Sequence, residues 1–186
     1  MLFLIDSLLH LLYSVFAPMR KHLVVVDVSS QNLILYKYGT VVAKYAISTA
    51  KNGTGEALGS YQTPRGWLYI GACYGDNQPE DMQFRARRPI GRLSETVDQA
   101  QKDPILARVL QLSGLQWHNR DTYRRCVYIH GAVQSRIEQG RPLSLGCVNM
   151  FVRDVIALYA QIKRNTWVYV IDKSHVLNFQ PCFFDL

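Results

Sequence analysis

The chain has 186 residues, 48% of them hydrophobic, which is enough to bury one good core and predicts a single folded domain. Its net charge of +7 and pI near 9.3 favour anionic partners or a solvated basic surface. The four cysteines, Cys73, Cys126, Cys147 and Cys182, make no Cys-x-x-Cys pair and no ligand spacing with the five histidines, so no zinc or other metal site is expected, and thiols in a reducing compartment are.

Residues 1–22 form a first segment. Met1 to Ala17 is strongly apolar and ends before Pro18, Arg20 and Lys21. A secretory signal should open on basic residues and run unbroken, whereas here no Lys or Arg precedes the run and Asp6 and His10 interrupt it. Seventeen interrupted residues are also short for a membrane span, and Arg20 and Lys21 on its far flank would keep the remainder of the chain in the cytoplasm. Asp6, His10 and Ser14 share one helical face, so the segment predicts an amphipathic helix, packed on the domain or resting through residues 1–17 on a membrane surface. A cytoplasmic location is the expectation, a periplasmic or membrane-anchored one its alternative.

From Leu23 the pattern is β. Leu23–Val28 predicts a strand, Ser29 to Asn32 a turn, and Leu33–Tyr38 and Val41–Ser48 a hairpin around Gly39-Thr40. Lys51 to Gly55 lacks the Lys-Ser/Thr ending of a phosphate loop and is taken as a connection. Pro64 biases Thr63 to an extended backbone, and Trp67–Ile70 predicts another strand.

The stretch of about 72–123 is the least regular and suggests an insertion, a lid or a pocket wall. It carries Arg85, Arg87, Arg88 and Arg92, which are suited to hold carboxylates in bidentate fashion. Asp103 as N-cap and Pro104 at the first helical position predict a helix with Ile105, Leu106, Val109, Leu110 and Leu112 on its apolar face, ending near Ser113-Gly114. Trp117 and His118 come next.

Val127 to Gly131 predicts a buried strand ending on His130 and Gly131, the glycine allowing a sharp turn beside the imidazole. Further on, Ser144-Leu145-Gly146-Cys147 predicts a small turn that presents a thiol at the head of an amphipathic helix. The partial positive charge and N–H groups at such a helix start would activate a thiol and cradle an oxyanion. His130, or His118 as the alternative, would complete a nucleophile–base pair. Val152, Val155, Ile156, Leu158 and Tyr159 continue the helical pattern, Trp167–Ile171 predicts a closing strand, and residues 174–186 form a tail.

Ile129-His130-Gly131 followed by Ser144-Leu145-Gly146-Cys147-Val148-Asn149 resembles the signature of the L,D-transpeptidase catalytic domain, also called the YkuD domain: a His-Gly, a spacer, then Ser/Thr-x-Gly-Cys, an aliphatic residue and Arg or Asn. Leu23–Val28, Leu33–Tyr36 and Ala46–Ala50 are similar to that family's first strands, and Ser60 to Gly66 is similar to its Thr-Pro-x-Gly segment. Leu145 departs from the many members that have His there.

The resemblance implies a mostly β fold with some α: sandwich-like or barrel-like sheets, with a helix after the cysteine turn, over residues 23–173. It implies a cofactor-free cysteine enzyme acting on peptidoglycan stem peptides at the bond between the L-centre of a diamino acid and a terminal D-Ala. Cys147 and His130 are the catalytic candidates, with the Gly131 carbonyl orienting the imidazole. Ser144, Gly146 and Asn149 are the oxyanion or supporting candidates, and Tyr128, Arg88, Trp117 and His118 the candidate substrate contacts. Water as final acceptor makes an L,D-carboxypeptidase of wall recycling; an amine makes an L,D-transpeptidase. A basic, non-catalytic module for polymer or membrane is the alternative of another class, and no motif points to nucleic acid.

Overall fold

The computed structural model describes residues 20–93 and 104–172, together with Val15. The helix expected in the first segment, the Asp103 cap and the tail expected over 174–186 fall outside the described residues, Val15 apart.

Ten strands are present among the described residues: β1 His22–Asp27, β2 Asn32–Lys37, β3 Thr40–Ser48, β4 Gly66–Tyr74, β5 Met82–Arg85, β6 Arg88–Arg92, β7 Ile105–Gly114, β8 Tyr128–Ala132, β9 Val148–Phe151 and β10 Trp167–Ile171. Two helices accompany them, α1 Gln134–Glu138 and α2 Val152–Gln161. The strands pair in the order β4-β10-β1-β2-β3-β9-β8-β7, and β7 pairs back to β4, so the sheet closes into a barrel. The β5–β6 hairpin branches from β7. Closure removes the open edges at which a sheet would otherwise recruit another chain.

Period-two patterning explains the simple strands. Val24 and Val26 of β1, Leu33 and Leu35 of β2, and Val168 and Val170 of β10 all point inward and are buried. The β2–β3 hairpin forms where Gly39 adopts φ +78. Burial of Val155 and Leu158 seats α2 against β7, β8 and β9.

Two expectations are corrected. Residues 105–114 form strand β7, not a helix. The strand is buried on both faces, which gives a nearly continuous apolar run instead of alternation. A bulge then adds residues: the pairing jumps from Leu106↔Gly131 to Val109↔His130, with Ala107 at φ +63. That jump gives Leu106, Val109 and Leu110 a helix-like i, i+3, i+4 spacing. The stretch expected as an irregular insertion therefore supplies a wall of the barrel.

The second correction concerns Cys147. No helix starts at the thiol. Val148–Phe151 is held extended as β9 by parallel pairing with β8, and α2 begins only at Val152. A helix-dipole argument therefore does not reach Cys147, because that effect fades within one turn.

Gly131 does not turn the chain either; it lies within β8. A Cβ there would meet the Leu106 carbonyl oxygen at 2.8 Å and the Val155 Cγ1 at 3.2 Å. Glycine is what allows β7 and α2 to close in at this point. Gly131→Ala is expected to cost about 1–3 kcal/mol by overpacking, read as a lower urea midpoint with unchanged slope.

Candidate active site

The site grows from the parallel pairing of β8 and β9. Ile129 stands beside Val148, His130 beside Asn149, and Gly131 beside Met150. Ile129, Val148 and Met150 face the barrel core. By alternation Tyr128, His130, Cys147 and Asn149 share the opposite face, where Cys147 packs on Phe84, Val109 and Tyr128. His130 and Asn149 are buried and Cys147 is half-buried.

The turn before β9 is tied from several sides. Ser144 joins Ala50 in an isolated bridge, donating its N–H to the Thr49 carbonyl and accepting at its own from Lys51. Its hydroxyl donates to the Cys147 carbonyl at 2.6 Å and accepts from the Gly146 N–H at 3.2 Å. Thr63 Oγ1 accepts from the Ala50 N–H at 3.0 Å and donates to the Gly146 carbonyl at 3.2 Å. Gly146 sits at φ +117, outside the comfortable range of any residue with a Cβ. Ser48, opposite Asn149 on β3, holds the approach to the turn: its hydroxyl donates to the Arg141 carbonyl and accepts from the Leu143 N–H, each at 2.9 Å. The Gly146 N–H is thus engaged by Ser144, and Gly146 shapes the turn that presents Cys147.

His130 Nδ1 lies 2.8 Å from the Gly131 carbonyl oxygen. A carbonyl only accepts, so Nδ1 carries the proton, and in the neutral ring Nε2 carries the lone pair. The Cys147 sulfur accepts the Tyr128 backbone N–H at 3.4 Å and faces the Cys126 carbonyl at 3.7 Å.

Arg125 stands near the thiol on the loop before β8. Its guanidinium donates to the carbonyls of Gly55 at 3.0 Å and Gln62 at 2.6 Å and to Ser60 Oγ at 3.2 Å. Burial pushes it below its ordinary value, while the charges of Glu56 and Cys147 act the other way. A cation and an N–H are therefore what negative charge on the sulfur meets. Sequence reading missed Arg125, Ser48 and Gln111, which carry no local signal; Thr63 was visible only as part of its motif.

The candidate substrate contacts scatter. The Tyr128 side chain is buried with Phe84 and Val109, and its backbone N–H faces the thiol. Burial, then a hydrogen bond and the charge of Cys126, raises its hydroxyl well above the ordinary tyrosine value. Arg88 opens β6 and is exposed, whereas its neighbour Arg87 reaches Gln111 and Tyr123. Trp117 is exposed with Arg120 stacked 3.5 Å over its ring, and His118 Nε2 faces the Arg65 carbonyl at 3.4 Å. His130, and not His118, shares the face of Cys147. The Trp117–His118 loop is clipped to β4 by Asn119, which donates to the carbonyls of Arg65 and Trp67, and by Gln116, which accepts the Trp67 N–H.

Glu56 and Arg65 brace the loop that carries Thr63, in a bidentate pair at 2.9 and 3.0 Å. Burial pushes the Glu56 carboxyl up, but the Arg65 hydrogen bonds and charge outweigh it and leave it below its ordinary 4.5. The pair therefore contributes fully above the unfolded-state value and is lost as pH falls through the lower folded value. Glu56→Gln is expected to cost about 1 kcal/mol at pH 7, discounted for partial exposure. In melts of both proteins down the pH scale, the gap should close below roughly pH 4. A gap that does not narrow as the pH falls through the acid range would remove the ion pair as its cause.

The family model of the L,D-transpeptidase catalytic domain, YkuD, matches residues 21–170. The chain belongs to that family. Solved L,D-transpeptidases have the same fold. One from Mycobacterium smegmatis is 18% identical with a TM-score of 0.53, over 81% of this chain and 58% of that one. One from Xylanimonas cellulosilytica is 19% identical with a TM-score of 0.53, over 81% and 60%. One from Stackebrandtia nassauensis is 16% identical with a TM-score of 0.52, over 82% and 56%. This L,D-transpeptidase domain therefore spans less than two-thirds of those chains. No curated protein sequence matches it.

Proposed function

We propose that this protein is a cysteine-dependent L,D-peptidase that removes the terminal D-Ala from the L-centre of the third residue of peptidoglycan tetrapeptide stems. The observation that carries the proposal is the shared face of His130 and Cys147, with the imidazole set by the Gly131 carbonyl so that Nε2 is its basic atom. Nε2 takes the thiol proton and the thiolate attacks the scissile carbonyl. The Cys147 backbone N–H is the candidate donor to the oxyanion. The imidazolium returns its proton to the departing D-Ala amine, leaving a thioester on Cys147. His130 then takes a proton from the acceptor as it attacks the thioester, the C–S bond breaks, and the imidazolium returns the proton to the departing Cys147 thiolate.

Water is the acceptor that asks for no further binding site, and makes the protein an L,D-carboxypeptidase acting on free muropeptides in the cytoplasm. Transpeptidation to an amine is the second reading, favoured by the names of the solved relatives. The deciding experiment is mass spectrometry of the purified full chain with a disaccharide tetrapeptide, with and without an added stem acceptor. Loss of one D-Ala regardless of acceptor supports the carboxypeptidase. Joined stems or acceptor-bearing products support the transpeptidase, and an unchanged tetrapeptide overturns both.

A further inference from the structure

Arg87, on the β5–β6 hairpin, reaches the buried side chain of Gln111. Arg92 pairs with Asp81, Arg65 pairs with Glu56, and Arg108 donates to the carbonyls of Gln78 and Ala107. The guanidinium of Arg87, like those of Arg108 and Arg125, meets neutral groups among the described residues, and in its case they are side chains. Its Nη1 is 3.3 Å from Gln111 Oε1 and 3.4 Å from the Tyr123 hydroxyl, and its Cζ lies 5.9 Å from the Tyr123 ring centroid. The other groups that act on it include Tyr128, Tyr74 and Cys126.

The placement is built. Ala86 and Arg87 are the two loop residues of the β5–β6 hairpin, at φ +48 and +70 between the paired Arg85 and Arg88. Those angles suit the tight turn that matches strand twist, and they cost a residue with a side chain. Gln111, which holds the guanidinium, is fully buried and donates its amide to the Tyr123 carbonyl at 3.2 Å. Gln111 pairs with Tyr128, and the Tyr128 N–H donates to the Cys147 sulfur. Arg87 is therefore anchored two strands from the nucleophile, roughly 10 Å at the usual spacing.

We infer that Arg87 selects stems whose third residue carries a free carboxylate at the end of its side chain, a diamino diacid, over stems in which that carboxyl is amidated or absent. This rests on the proposed function. A side-chain carboxylate of such a residue lies roughly 7 Å from the scissile carbonyl along an extended chain, whereas the terminal D-Ala carboxylate lies roughly 4 Å away. The longer reach fits the distance between Cys147 and Gln111, with the guanidinium covering the remainder. A planar guanidinium held by two neutral groups keeps N–H donors for a bidentate carboxylate.

The test measures D-Ala release by the full chain from three tetrapeptides that differ only at the third residue: the diacid, its side-chain carboxamide, and lysine. Wild type is expected to prefer the diacid about 10- to 100-fold in kcat/KM, chiefly through KM. Arg87→Gln should bring the diacid down to the level of the carboxamide, and Arg87→Lys should recover part of the preference, which a misfolded variant would not do. Equal wild-type rates on all three stems would overturn the role of Arg87 while leaving the peptidase standing. An equal loss on all three in Arg87→Gln would also overturn it and point to the shared terminal carboxylate. Release from none of them overturns both proposals.

Discussion

Cys147→Ala abolishes D-Ala release: a loss of about 10⁴-fold or more is expected, down to the background of the substrate alone, with the fold retained. The thiol is the sole atom in the proposed mechanism that bonds to substrate, so no neighbour can take a partial share. Its position is set by backbone elements that alanine leaves in place: the Ser144 and Thr63 clamps on the turn and the β8–β9 pairing. Cys126 is exposed and adjacent, so Cys126→Ser is included and should keep its turnover. Undiminished turnover by Cys147→Ala would end the proposed mechanism.

His130→Gln lowers kcat/KM by about 10² to 10⁴-fold, the usual span for loss of a general base. Glutamine preserves much of the volume of the buried ring and can still donate to the Gly131 carbonyl, but it has no basic nitrogen. The residual rate should lose the pH dependence that titration of the imidazole gives the wild type. Because the histidine serves the same unit as the thiol, adding Cys147→Ala to His130→Gln should remove no more than Cys147→Ala alone. A wild-type pH profile surviving unchanged in His130→Gln would move the base to another residue.

The sequence was legible where short-range chemistry decides. Val24, Val26, Leu33 and Leu35 alternate because each strand buries one face, and the β2–β3 turn announces itself with Gly39. The helical spacing of Val155 and Leu158 marked α2, and the His-Gly and Ser-x-Gly-Cys patterns marked the site. β7 was misread because its two buried faces and its bulge imitate helical periodicity.

By itself, then, the sequence determined the strand-rich class, the hairpin and the helical run through Val155 and Leu158, and it nominated His130 and Cys147, since each depends on neighbours a few positions apart. The tertiary structure decided the rest. Closure of β4 onto β7 turned an apparent insertion into a barrel wall. Parallel pairing with β8 drew residues 148–151 into a strand and kept the helix start away from Cys147. A hairpin with a two-residue turn chose Arg87 over Arg88 for the face that Gln111 and Tyr123 line, because adjacent residues on a tight turn leave it in different directions. Arg125 is held in place by donating to carbonyls far from it in the chain. These are contacts between distant segments, and their energies exist only once the barrel has closed.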